Sequence, residues 1–180
     1  MQTNKTVFAY GTGSALNIEV GYIPDTVIIA NVTDGDVINV AFPSIKTMAF
    51  TSGGTNEIKA GDTVKGATSG ATAKVKQVLA DTGTWAGGDA AGTLIVEARS
   101  VVGTFTSEAI YIQGGTSLDD ATGAALGTPG EDIDTEVASD TGVSAYLGSA
   151  ATASEGVTLG SGISEDAKLL AIVCLRNAAG

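Results

Sequence analysis

The chain has 180 residues, with nine basic residues against twenty acidic ones and a formal net charge of −11. Affinity for nucleic acid comes mainly from Lys and Arg neutralising phosphates, so this balance argues against DNA, RNA or anionic lipid as partners over most of the surface. Twenty-five glycines and nine aromatic residues, with Thr, Ser, Ala, Val and Ile supplying most of the rest, predict an all-β protein of short strands joined by tight turns.

In chain order, TVFAYG predicts a first strand that ends at Gly11 and Gly13. ALNIEVGYI alternates, with Leu16, Ile18 and Val20 on one face and Asn17 and Glu19 on the other. DTVIIANVT is a more fully apolar strand stopped by DGD, and VINVAF runs on to Pro43. A DG pair between two such runs predicts a hairpin. Lys46 to Thr51 reads as another short strand. From about Ala60 the texture changes. Residues 58–113 predict a small inserted β-barrel-like module, with two short strands around a Thr-Ser-Gly corner, a strand TLIVEA and a closing EAIYIQG. Residues 114–139 form an acidic, loop-rich segment, with loop character expected as far as 150; no Lys or Arg occurs from 114 to 167 against ten acids.

Strands return in 140–180 as GVSAYLG, EGVTLGSG and AKLLAIVCLRNA. SEDAKLLAIVCLRN admits a helix with Ser164 as N-cap, but β-branched Ile172 and Val173 and an unbroken apolar run favour a buried strand. Residues 1–57 and 140–180 are therefore expected to share one discontinuous main domain, sandwich-like or barrel-like.

Gly61 to Val75, GDTVKGATSGATAKV, opens like a phosphate-binding loop. That motif needs a lysine after its second glycine and a helix N-terminus behind it. Ala67 stands in the lysine's place and a strand-like alternation follows, so no nucleotide role is expected. The absence of histidine removes Ser–His and Cys–His catalysis and most transition-metal sites. Carboxylate pairs remain for glycoside hydrolysis, but the chain has a single tryptophan with which to line a sugar cleft. No catalysis and no cofactor are expected.

Asp119, Asp120, Glu131, Asp132, Asp134 and Glu136 could supply oxygen ligands to Ca²⁺; without EF-hand spacing, a solvated acidic loop is the preferred reading. Trp85 and Phe105 are the candidate partner contacts, the alternative for Trp85 being a plug in the core of the inserted module. Cys174, the one cysteine, reads as a buried thiol. The N-terminus lacks the layout of a signal peptide and no apolar run approaches the ~20 residues of a bilayer span. A soluble protein made in a cytoplasm is expected, with no membrane partner.

Two stretches resemble bacteriophage virion proteins. ALNIEVGYIPDTVIIANVTDGD is similar to a segment of phage head and tail proteins, with Gly21, Tyr22, Pro24, Val27 and Asn31 in the matching places. GDTVKGATSGATAKVKQVLAD, with GTLIVEARSVVGTFTSEAIY, resembles a small β-module inserted in phage structural and fibre-associated proteins. Gly66, Thr68, Gly70, Ala71 and Ala73 mark its corner, and Glu108 marks its close. The resemblance implies a capsid decoration (cement) protein, non-enzymatic and located on the virion. It would be a homo-oligomer, commonly a trimer, with the major capsid protein as its partner. The alternatives are a tail or fibre-associated subunit whose module binds host-surface glycans, and a carbohydrate-binding module outside a virion.

Overall fold

The computed structural model of the chain describes residues 3–35, 38–54, 56–132 and 142–177. In chain order the strands are β1 (Thr3–Tyr10), β2 (Leu16–Glu19), β3 (Thr26–Asn31), β4 (Ile38–Ala41), β5 (Ile45–Gly53), β6 (Thr63–Gly66) and β7 (Thr72–Thr82). They continue with β8 (Ala90–Glu97), β9 (Glu108–Ile112), β10 (Ala121–Gly123), β11 (Gly130–Asp132), β12 (Val143–Tyr146), β13 (Gly156–Leu159) and β14 (Leu169–Arg176). Among the described residues the only helical element is a 3-10 turn at Ala98–Ser100. The protein is all-β, as its composition predicts. It divides into two compact units, Met1–Ser44 with Thr128–Gly180, and Ile45–Gly127.

The first unit contains a five-stranded sheet ordered β1-β14-β3-β4-β11 and a three-stranded sheet ordered β12-β13-β2, each wholly antiparallel. Period-two alternation decides what each strand buries. In β3, Val27, Ile29 and Asn31 are buried while Thr26, Ile28 and Ala30 are half-exposed. Register places Ile29 opposite Ile172, and Val27 opposite both Cys174 and Ala41. These side chains meet Ile18, Val143, Val157 and Leu159 of the smaller sheet in one apolar core.

Residues 169–176 form a strand and not a helix, and β14 lies between β1 and β3, paired on both sides, in the larger sheet. Ser164 does not cap a helix; it is buried, and its Oγ accepts a hydrogen bond from the Thr12 amide at 3.1 Å. The hairpin expected at DG is present. Asn31 Oδ1 accepts the amides of Thr33 and Asp34, each at 3.1 Å, and Gly35 takes φ +81°.

The second unit is a closed six-stranded barrel, β10-β5-β8-β7-β6-β9 and back to β10. Met48, Phe50, Val64, Val75, Leu94, Val96 and Ile110 fill its interior. Register shifts between Val75 and Gln77 and between Ala80 and Thr82 bend β7, as closing so small a barrel requires. The boundaries 58 and 113 expected for the inserted module differ from those observed. β5 pairs with β8 on one side and β10 on the other, and β10 also pairs with β9. A module cut at 58–113 would lack two staves and leave β8 and β9 with open edges.

The loop-rich segment 114–139 also contributes two three-residue strands, β10 to the barrel and β11 to the five-stranded sheet.

Candidate interaction surface

The corner that resembles a phosphate loop does bind an anion, and the anion is the chain's own Glu108. β6 ends at Gly66 and β7 starts at Thr72, so residues 67–71 make a tight reversal in which Gly70 takes φ +67°. The Thr68 and Ser69 amides donate to Glu108 Oε2 at 2.7 and 2.8 Å, and the Ser69 hydroxyl donates to Oε1 at 2.5 Å. The Thr106 amide adds a longer bond to Oε1 at 3.3 Å. Burial pushes the Glu108 carboxyl up, but the bonds from Ser69, Thr68 and Thr106 outweigh it and bring it from an ordinary 4.5 to about 2. Gly66 leaves room for the carboxylate: a Cβ there would lie 2.5 Å from Glu108 Oε1 and from Ser69 Oγ. The corner is therefore a filled anion nest that ties the β6–β7 turn to the start of β9.

Asp120 departs from the solvated acidic loop expected of its segment. It is 1% exposed, and its carboxylate accepts the Ile112 amide at 2.9 Å and Asn56 Nδ2 at 2.8 Å. Asp119 is exposed. Glu131 and Asp132 lie on β11, and Asp134 and Glu136 fall outside the described residues. Among the described residues no group of three or more His, Cys, Asp or Glu is placed to hold a metal ion. Cys174 is buried in the sandwich core, and burial raises its thiol to about 11.

The two candidate contacts have different environments. Phe105 is 2% exposed in the barrel core, which leaves almost none of its surface for a partner. Trp85 is half-buried against the same core and stacks on Phe50, with ring centroids 5.3 Å apart and planes 16° from parallel. A hollow of about 370 Å³ beside it is lined by Ile58, Gln77, Val78 and Ala80.

An apolar feature outside both cores is the outer face of β1, β14, β3 and β4 in the five-stranded sheet; on the fifth strand, Glu131 pairs with Val40 of that face. On β1, Val7 and Ala9 turn toward the sandwich core while Phe8 and Tyr10 point away, 65% and 67% exposed. Register aligns the outward residues in rows across four strands. One row runs Thr6, Val173, Ile28, Val40, and the next runs Phe8, Ala171, Ala30, Ile38; Tyr10 faces Leu169. An antiparallel sheet with one solvated face ordinarily carries polar residues there. Here the outward positions of β1, β14, β3 and β4 include no Asp, Glu, Lys or Arg. None of them belongs to either hydrophobic core. The face ends at β1, an eight-residue edge strand that pairs on one side only.

Tyr22 has a structural position in this unit. Tyr22 is buried and its hydroxyl donates to the Cys174 carbonyl at 3.1 Å and, more weakly, to the Thr3 carbonyl at 3.4 Å. Burial raises its phenol, the neighbouring Cys174 adds to the rise, and Arg176, 5.6 Å over the ring, opposes it.

Neither the outer face nor the Glu108 clasp is predicted as a site by sequence reasoning. The signal for the face is present in VFAY, VIIA and LLAIVCL, whose alternate residues are apolar on both parities. Compared with protein-family profiles, curated proteins and solved structures, the chain matches none.

Proposed function

We propose that the protein is a non-enzymatic structural subunit of a bacteriophage virion, a decoration protein that binds the outer capsid surface as a homo-oligomer and stabilises the head. The observation that carries this reading is the apolar outer face that β1, β14, β3 and β4 present, bordered by the edge strand β1. Exposed apolar faces of this extent mark interaction surfaces, and an unpaired edge strand offers a template for strand addition. Glu108 and Asp120, the buried carboxylates among the described residues, have their oxygens engaged by backbone amides and neighbouring side chains, an arrangement suited to holding a fold together. The resemblance of residues 15–36 and 61–111 to phage structural proteins supplies the biological setting. Repeated attachment over a shell multiplies the effect of a modest interface.

The test is addition of purified protein to undecorated phage heads. Saturable binding at a fixed ratio to the major capsid protein, with raised resistance of the heads to heat, is expected. No binding to heads would overturn the reading.

The hollow beside Trp85 favours a second reading, a tail or fibre-associated subunit whose barrel binds a host glycan. Glycan binding that is lost in Trp85→Ala, by a protein that ignores heads, is the result that would select it.

A further inference from the structure

We propose that Asp34–Gly35 is a latent site of aspartate isomerisation and that Lys168 holds it closed. It is the one Asp-Gly pair in the chain, and no Asn-Gly occurs. The pair lies in the exposed turn after β3. Glycine has no Cβ to shield its amide, so its nitrogen can attack the Cγ of a preceding aspartic acid. The new N–Cγ bond closes a succinimide, and the carboxyl OH leaves with the amide proton as water. A second water reopens the ring at either carbonyl. Opening at the main-chain carbonyl leaves isoaspartate, with the backbone routed through the Asp34 side chain. Mass is unchanged overall and no oxidant or reductant is needed.

The structure restrains both reacting groups. Asp34 Oδ1 accepts Lys168 Nζ and Oδ2 accepts Asn31 Nδ2, each at 2.7 Å, so Cγ cannot swing toward the following amide without breaking a charge-assisted bond. The Lys168 bond lowers the Asp34 carboxyl, burial opposes it, and the Asn31 bond adds to the lowering. The net effect depletes the protonated acid that cyclises. The nucleophile is engaged as well, because the Gly35 amide donates to the Asn31 carbonyl at 2.9 Å. Lys168 is held over the turn by its neighbour. The Val32 amide donates to the Leu169 carbonyl, and the Leu169 amide donates to Thr33 Oγ1, both at 2.8 Å. Isomerisation would add a carbon to the backbone of a turn pinned by these bonds and by buried Asn31. The Lys168–Asp34 pair therefore protects the β3–β4 hairpin from its own turn chemistry.

The test incubates the folded full chain at neutral pH and body temperature, and reads isoaspartate at position 34 by electron-transfer fragmentation of the tryptic peptide 6–46. A synthetic peptide of residues 31–39 supplies the unrestrained rate. The wild type is expected to isomerise at least ~10-fold more slowly than the peptide, since it must first open the turn. Lys168→Met keeps the side-chain stem and removes the ammonium, and is expected to raise the rate of the folded chain ~5-fold or more. Tyr22→Phe loosens the same unit through bonds to the Cys174 and Thr3 carbonyls and leaves the turn's own bonds in place. It is expected to keep the wild-type rate. The comparison of wild type with peptide does not depend on any variant folding. A wild type that isomerises as fast as the peptide, a Lys168→Met protein no faster than wild type, or a Tyr22→Phe protein accelerated as much as Lys168→Met would each overturn the proposal.

Discussion

Replacing Glu108 by Gln keeps the shape of the side chain and removes the charge that three close donors converge on. In the wild type, Oε2 accepts two backbone amides and Oε1 accepts the Ser69 hydroxyl and the more distant Thr106 amide. A glutamine retains one oxygen for the Thr68 and Ser69 amides and turns an NH₂ toward the Thr106 amide, which cannot accept from it, and toward a Ser69 hydroxyl that must reverse its own bond to do so. Lowering the carboxyl from 4.5 to about 2 corresponds to about 3 kcal/mol of native-state stabilisation at neutral pH. Solvent near the turn screens part of that, so Glu108→Gln is expected to cost about 2 kcal/mol. For a unit the size of the barrel this lowers the melting temperature by roughly 10 °C.

The sign of the pH dependence follows from the direction of the shift. A depressed folded-state value means that the contribution is fully present above about 4.5, the unfolded value, and disappears as pH falls toward 2. The gap between wild type and Glu108→Gln should therefore be constant from pH 7 to 5 and close between 4.5 and 2. Trp85 makes the measurement specific. It is the single tryptophan and packs on Phe50 inside the barrel, so urea unfolding followed by its fluorescence reports this unit. A gap below about 0.5 kcal/mol at pH 7, or one that stays flat down to pH 2, would refute the account of the clasp.

Gly66→Ala should destabilise the barrel by a similar amount, since its Cβ would crowd Glu108 Oε1 and Ser69 Oγ at 2.5 Å. In a double-mutant cycle the Gly66→Ala cost should shrink once Glu108 is Ala, because one of the two groups it clashes with is gone and Ser69 is released from the other. A fragment spanning residues 45–127 should fold alone with native-like Trp85 fluorescence. Thr47 and Gly127 exchange backbone hydrogen bonds at 2.9 Å, so its ends already meet, and a disordered fragment would contradict the division into two units. Cys174 should resist thiol reagents at pH 8 in the native state and react on unfolding, because burial holds its thiol near 11. Tyr22→Phe should cost about 1 kcal/mol in the sandwich unit through loss of the hydroxyl's bond to the Cys174 carbonyl, read as faster amide exchange in β14.

Local alternation made β3, β4 and β14 legible: VIIA and LLAIVCL carry enough β-branched and apolar residues to specify strands wherever they pair. Pairing itself is not local. Nothing near Leu169 signals that β14 inserts between β1 and β3, a contact joining residues at opposite ends of the chain. The barrel boundary failed for the same reason. β10 is the three residues Ala121–Gly123, too short to show a period, and its role comes from closing the gap between β5 and β9. The Glu108 clasp was half legible. GATSG announced a loop able to hold an anion, but its ligand lies some forty residues downstream, where a glutamate between Ser107 and Ala109 looks like any surface acid. The buried-strand expectation for residues 169–176 holds for one face of β14 only. A strand apolar on both parities is ordinarily buried on both faces, and β14 buries only Leu170, Ile172 and Cys174 fully, leaving Leu169, Ala171 and Val173 half-exposed. The sequence pattern of a doubly covered strand on a singly covered sheet is the physical reason to look for a second protein surface over it.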